Sequence, residues 1–129
     1  MVSAYLDTHN TPAAEDLLPT LEARARTPNN RALVEHTKAR IAFAKNDFVA
    51  SEKLLQREIA ASHNLVPNLG LLAQVELALF DQDVSQFPAI ANVALTSAEE
   101  ALRTIEKMEP QNKFIEILRM NISDRRQRL

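Results

Sequence analysis

Glycine is almost missing from this chain: Gly70 is the only one in 129 residues. Tight β-turns and phosphate-cradling loops need Gly where the backbone takes positive φ. A single Gly therefore argues against a β architecture and excludes a Gly-rich nucleotide loop or a G-x-S-x-G nucleophile turn. Cysteine is absent altogether, which removes disulfides, thiolate nucleophiles and thiolate metal ligands. Tryptophan is also absent and aromatics make up only 5%, so stacking on exposed nucleobases has little support. The formal net charge of −2 does not favour a general polyanion binder, and nucleic acid is not expected. No apolar run approaches the ~20 residues of a membrane span. The start, Met1-Val2-Ser3-Ala4-Tyr5-Leu6-Asp7, has neither the basic beginning nor the apolar core of a secretion signal. A soluble, cytoplasmic protein is expected, with no membrane partner.

What is present is helical pattern throughout. A short segment at residues 2–7 is broken by Thr8-His9-Asn10. Thr11 is placed to cap a second segment, with Pro12 at its first helical position. Leu17, Leu18, Leu21 and Ala25 form its apolar stripe, and Pro19 inside it is a candidate kink. Thr27-Pro28-Asn29-Asn30 ends it, because Pro28 disfavours helical geometry in the residue before it. A third segment, residues 31–45, carries Val34, Thr37, Ile41 and Ala44 at helical steps. Asn46-Asp47 breaks it, with Asp47 a good N-cap. The fourth segment, 48–62, carries Phe48, Ser51, Leu55 and Ile59, with Leu54 beside them. Two helices joined by so short a turn are antiparallel neighbours.

The fifth segment, 67–80, is apolar nearly all round, and Gln74 and Glu76 are its strongly polar interior residues. Such a helix lies in the middle of a fold. Asp81-Gln82-Asp83 reads as the next break. In the sixth segment Phe87, Ile90, Ala94, Ala98, Ala101, Ile105 and Met108 keep one phase. That favours a single long helix over 84–108; the rival reading splits it at Thr96-Ser97, where Ser97 and Glu100 would form a capping box. The last segment, 111–126, has Phe114, Ile117, Leu118 and Ile122 on one side and ends in polar, basic residues.

Three boundaries look alike: Thr27-Pro28-Asn29-Asn30, Ser62-His63-Asn64 and Glu109-Pro110-Gln111-Asn112. Asn30 and Asn64 lie 34 apart, and Asp47 and Asp83 lie 36 apart. Each unit reads helix, polar turn, helix, boundary. With Lys45-Asn46-Asp47-Phe48 as a small-polar-aromatic turn, and Ser51 and Leu55 at second-helix small and large positions, the chain resembles the tetratricopeptide repeat family, whose repeat is about 34 residues. Ala101, Leu102, Ile105 and Met108 echo the spacing. The turn Gly of that family is absent. The stretch 33–108 also resembles the helical repeats of MalT-type bacterial transcription activators.

The resemblance implies an all-α fold: a right-handed stack of about three antiparallel helix pairs with a C-terminal capping helix, in one domain over 1–129, either whole or part of a longer array. It also implies that first helices line a concave groove. His36, Arg40 and Phe43 would form one strip there, and Leu72, Glu76 and Phe80 the next. Glu76 either faces that groove or pairs with Arg40, since a carboxylate on an apolar helix needs a partner.

Other chemistry is thin. His9, His36 and His63 are evenly spaced but sit near the ends of different segments, whereas zinc ligands come in close pairs. Glu15-Asp16 and Glu99-Glu100 are adjacent, so on a helix they point about 100° apart. Arg119, Arg125, Arg126 and Arg128 read as cations satisfying a helix C-terminus, with an anionic partner as the other reading. No catalytic group, metal or cofactor is expected. The expected role is a non-catalytic scaffold holding a peptide or helix of a partner protein. The alternatives are a ligand-sensing regulatory segment of a signalling or transcription-regulator protein and a homo-oligomeric assembly module.

Overall fold

The computed structural model describes residues 11–129. The segment expected at 2–7, His9 and the side-chain cap expected at Thr11 lie outside the described residues. Within them the chain is all-helical: six helices cover 81% and no strand occurs. They are α1 (Thr11–Arg24), α2 (Pro28–Ala44), α3 (Phe48–Ala60), α4 (Leu65–Asp83), α5 (Pro88–Met108) and α6 (Ile115–Arg126). None is long and apolar enough to cross a membrane among the described residues. The chain forms two compact units, one running to Asn68 and the other Leu69–Leu129, so the division falls inside α4.

Several boundaries differ from expectation, each for a local reason. α1 runs through Pro19. Pro28 opens α2 rather than merely ending α1: Thr27 is extended, at φ −101° and ψ 155°, and its hydroxyl accepts the Asn30 N–H at 3.1 Å. Asn29 and Asn30 are thus in the first turn of α2. The expected break at Asp81-Gln82-Asp83 is helical, and the chain turns at Val84–Phe87 instead, with the Phe87 N–H on the Asp83 carbonyl at 2.7 Å. α5 is one helix from Pro88 to Met108, and Ser97 lies within it without a break.

The first unit is a run of antiparallel helices whose turns substitute for glycine. At the end of α2, Asn46 takes φ 62°; its N–H reaches the Phe43 carbonyl at 2.9 Å and the Asp47 N–H reaches Ala42 at 2.8 Å. The Asp47 carboxylate then accepts the Ala50 N–H at 3.3 Å and starts α3. α3 closes in the same way: Ser62 takes φ 58°, its N–H bonds to the Ile59 carbonyl at 2.9 Å, and the His63 N–H bonds to Glu58 at 2.9 Å. Both are Schellman closures, usually made by Gly.

These turns set the register. α2 and α3 approach closely where Ser51, fully buried, donates its hydroxyl to the Ala39 carbonyl at 2.8 Å. Phe43 and Phe48 meet near the turn with ring centroids 5.6 Å apart. Arg57 reaches Glu35 at 3.3 Å at the far end. Partner numbers rise on one helix as they fall on the other, so the pair is antiparallel. α1 and α2 are likewise antiparallel, through Lys45–Glu15 at 3.2 Å and Lys38–Glu22 at 3.4 Å. Between them Ala14 and Ile41 are buried, with Leu17, Leu18 and Leu21 packed around. Of the α2 stripe expected from the sequence, Ile41 is buried, Val34 and Thr37 are half-buried and Ala44 is exposed; Ala32 and Ala39 are buried instead. The small methyl side chains suit the close approach of the neighbouring helix.

In the second unit Ala91, Ala94, Leu95, Ala98, Ala101, Leu102 and Ile105 form the buried side of α5, matching the expected phase at its centre. Phe87, Ile90 and Met108 at its ends are about half exposed. α6 lies antiparallel to α5 and buries Ile115, Leu118 and Ile122. Phe114 and Ile117, expected on the same side, are 55% and 54% exposed, and Met120 is 70% exposed. The expected grouping of Phe114 and Ile117 with Leu118 and Ile122 on one buried side is therefore corrected.

Two measurements test this construction. Ser51→Ala should cost about 1 kcal/mol through one lost buried hydrogen bond, and Ser51→Leu about 1–3 kcal/mol through overpacking; urea denaturation reads both. Glycine is also misplaced for stability. A methyl added at Gly70 meets nothing within 4 Å. Gly70→Ala and Ser62→Gly should each stabilise the fold by about 0.5–1 kcal/mol, seen as a higher thermal midpoint.

Candidate functional site

The α2 face that carries His36, Arg40 and Phe43 is shaped by a polar relay beneath it. Asn68, fully buried at the start of α4, donates its amide N–H to the His63 carbonyl at 2.8 Å. That orients its carbonyl oxygen toward the His36 Nδ1, 2.6 Å away. Nδ1 must then be the protonated nitrogen, because it faces an acceptor. In the neutral ring Nε2 is left with a lone pair able to accept a hydrogen bond. His63 continues the relay, with its Nδ1 3.1 Å from the Glu58 carboxylate. Glu58 is 7% exposed, and a carboxylate so deep needs such a partner.

His36, Arg40 and Phe43 are all half-buried. Phe43 leans on Phe48, and the Arg40 charge is felt by His36. One turn before His36, Leu33 is 55% exposed, and Thr37 turns its hydroxyl back onto the Leu33 carbonyl at 2.8 Å. Leu33 is therefore the apolar side chain this face offers outward, with His36, Arg40 and Phe43 half-buried beside it. Leu72, Glu76 and Phe80 are different. They are 7%, 2% and 0% exposed, so the second expected strip is buried. The cause is the nearly all-round burial of α4, which also covers Leu69, Ala73, Val75 and Leu79.

The C-terminal arginines are mostly engaged with carboxylates on other helices rather than with helix-end carbonyls. Arg125 grips Asp81 with two bonds, at 3.0 and 2.8 Å, and reaches its own helix at the Asn121 carbonyl. Arg126 bridges Asn92 and Glu99 on α5, Arg119 bridges Glu106 and Glu116, and Arg128 pairs with Asp124 at 2.7 Å. The expected satisfaction of the helix C-terminus is seen at Arg125, on the Asn121 carbonyl, and beyond it these cations tie α6 to α5 and to the end of α4. A cleft of about 280 Å³ opens at the α5–α6 turn beside Glu106, Asn112, Ile115 and Arg119, and its carboxylates are held by Arg119. Among the described residues no three His, Asp or Glu side chains converge to hold a metal ion.

Sequence reasoning missed Asn68, Glu58 and Leu33. Glu58 had a signal: it continues the Ser51, Leu55 stripe one turn further.

The His36 ring has its pKa lowered, chiefly because burial disfavours the imidazolium and also because Arg40 repels it, while the Asn68 hydrogen bond acts in the opposite direction. The unfolded chain protonates the ring near its ordinary value of 6.5. Below that pH the unfolded state binds more protons, so stability contributed by the neutral ring is complete above it and declines as acid is added. Denaturant titrations between about pH 7.5 and about pH 5.5 should show wild type losing more stability than His36→Gln. Parallel profiles would mean the ring titrates alike in both states.

Comparison with protein-family models, with curated proteins and with solved structures finds no match.

Proposed function

We propose that this chain is a non-catalytic, tetratricopeptide-like helical-repeat module of the cytoplasm that captures a peptide or a helix of a partner protein. In this reading its helix pairs stack as a right-handed solenoid. The support is the antiparallel α2–α3 pair, with Ser51 and Leu55 both fully buried at the family's small and large positions. The observation that carries the binding half is the α2 face. It combines an exposed apolar side chain, Leu33, with the Arg40 guanidinium and the neutral His36 imidazole. That chemistry fits a segment with one apolar anchor beside an acidic or carbonyl group, the mode in which helices and extended peptides dock in grooves. Leu72, Glu76 and Phe80 support the scaffold from the core and do not touch the partner.

The test is selection of binders from a random peptide library displayed on phage, using the full chain as bait. Selected peptides should lose about tenfold or more in affinity to Leu33→Ser and to Arg40→Ala, equivalent to about 1.4 kcal/mol, with helix content unchanged. Binding indifferent to both substitutions would place the partner elsewhere, and a library that yields no binder would argue against peptide capture.

A further inference from the structure

The outward face of α6 has an order that α5 does not use. Lys113, Ile117, Met120 and Asp124 follow one another at steps of four, three and four, the spacing of a helix–helix seam. Lys113 sits in the turn that leads into the helix, closed by the Ile115 N–H on the Asn112 carbonyl at 3.2 Å. This seam points away from the buried Ile115, Leu118 and Ile122 side. Its centre is apolar and open, with Ile117 54% and Met120 70% exposed, and Phe114, 55% exposed, flanks it. Its two ends carry opposite charge.

We infer that this face is a homodimer interface, in which α6 of one copy packs antiparallel on α6 of a second copy about a two-fold axis. The charge pattern selects this occupant. A two-fold contact must be self-complementary, and reversing the helix direction is what makes this seam so. Centred between Leu118 and Arg119, the antiparallel register sets Ile117 against Met120 of the second copy, and Lys113 against Asp124. A parallel pairing would set Lys113 against Lys113 and Asp124 against Asp124, which repels at both ends. The apolar centre supplies affinity, while the exposed ion pairs select direction and register. Arg128, already paired with Asp124 at 2.7 Å, leaves that carboxylate on the seam with an oxygen for the incoming Lys113. This face shares no residue with the α2 face, so either assignment can fail without the other.

Sedimentation equilibrium on the full chain tests it. Wild type should give a dimer that dissociates on dilution. Ile117→Glu, and independently Met120→Glu, should weaken it about tenfold or more with unchanged circular dichroism; if one variant unfolds, the other decides. Lys113→Asp and Asp124→Lys should each weaken the dimer, and the two together should restore it. Because the chain has no cysteine, introduced thiols report orientation: a mixture of Lys113→Cys and Asp124→Cys chains should cross-link to each other, and neither to itself. A monomer up to millimolar concentration would overturn the inference and leave the face to a different partner. So would a dimer untouched by both glutamates, or self-linking of Lys113→Cys alone.

Discussion

Closing a helix with the chain reversed calls for a residue at positive φ, and here that demand falls on Asn46 and Ser62. Asn tolerates the left-handed region better than most residues, and Ser62 is held there by two backbone hydrogen bonds across its closure. Much of the first unit follows from these two turns. The Asn46 closure places Asp47 as cap, which fixes the phase of α3. That phase turns Ser51, Leu55 and Glu58 inward. Ser51 then sits on the Ala39 carbonyl, and the second closure carries the chain into α4, where Asn68 reaches His36.

Electrostatics does in the second unit what turn geometry does in the first. Arg119 and Arg126 are seven residues apart on α6 and meet Glu106 and Glu99, seven apart on α5. Single exposed ion pairs contribute little, yet two pairs in the same antiparallel register, with Arg125 on Asp81, permit one alignment and penalise slippage. The stabilising term is the burial of the alanine- and leucine-rich side of α5 and of Ile115, Leu118 and Ile122 on α6; the arginines fix the register of the two helices.

The two proposed surfaces differ in chemistry. The α2 face mixes an aliphatic side chain, a guanidinium and an imidazole kept neutral by burial, so it suits a partner unlike itself. The α6 face has an apolar centre and opposite charges at its ends, so it suits its own copy.

Local pattern was enough for the helical class, the Asp47 cap, the inward phase of Ser51 and Leu55, and the centre of the long α5, because each depends on residues within a few turns. Local pattern also failed where two local signals competed. Asp81-Gln82-Asp83 reads as a break, but four more residues pass before Pro88 starts α5, so the helix continues through it. Which face of a two-faced helix is inside could not be read locally. Phe114, Ile117 and Leu118 share a broad apolar arc, and packing against α5 chose Leu118 and left the other two in solvent. Nor could the fate of Leu72, Glu76 and Phe80 be read from their spacing, since an all-apolar helix gives no phase. The sequence by itself determined that this chain is helical and where most helices lie, because capping and periodicity are short-range. Only the tertiary structure decided which arginines are tied to carboxylates, that burial lowers the His36 pKa and which apolar faces remain open, because those depend on residues brought together from distant helices.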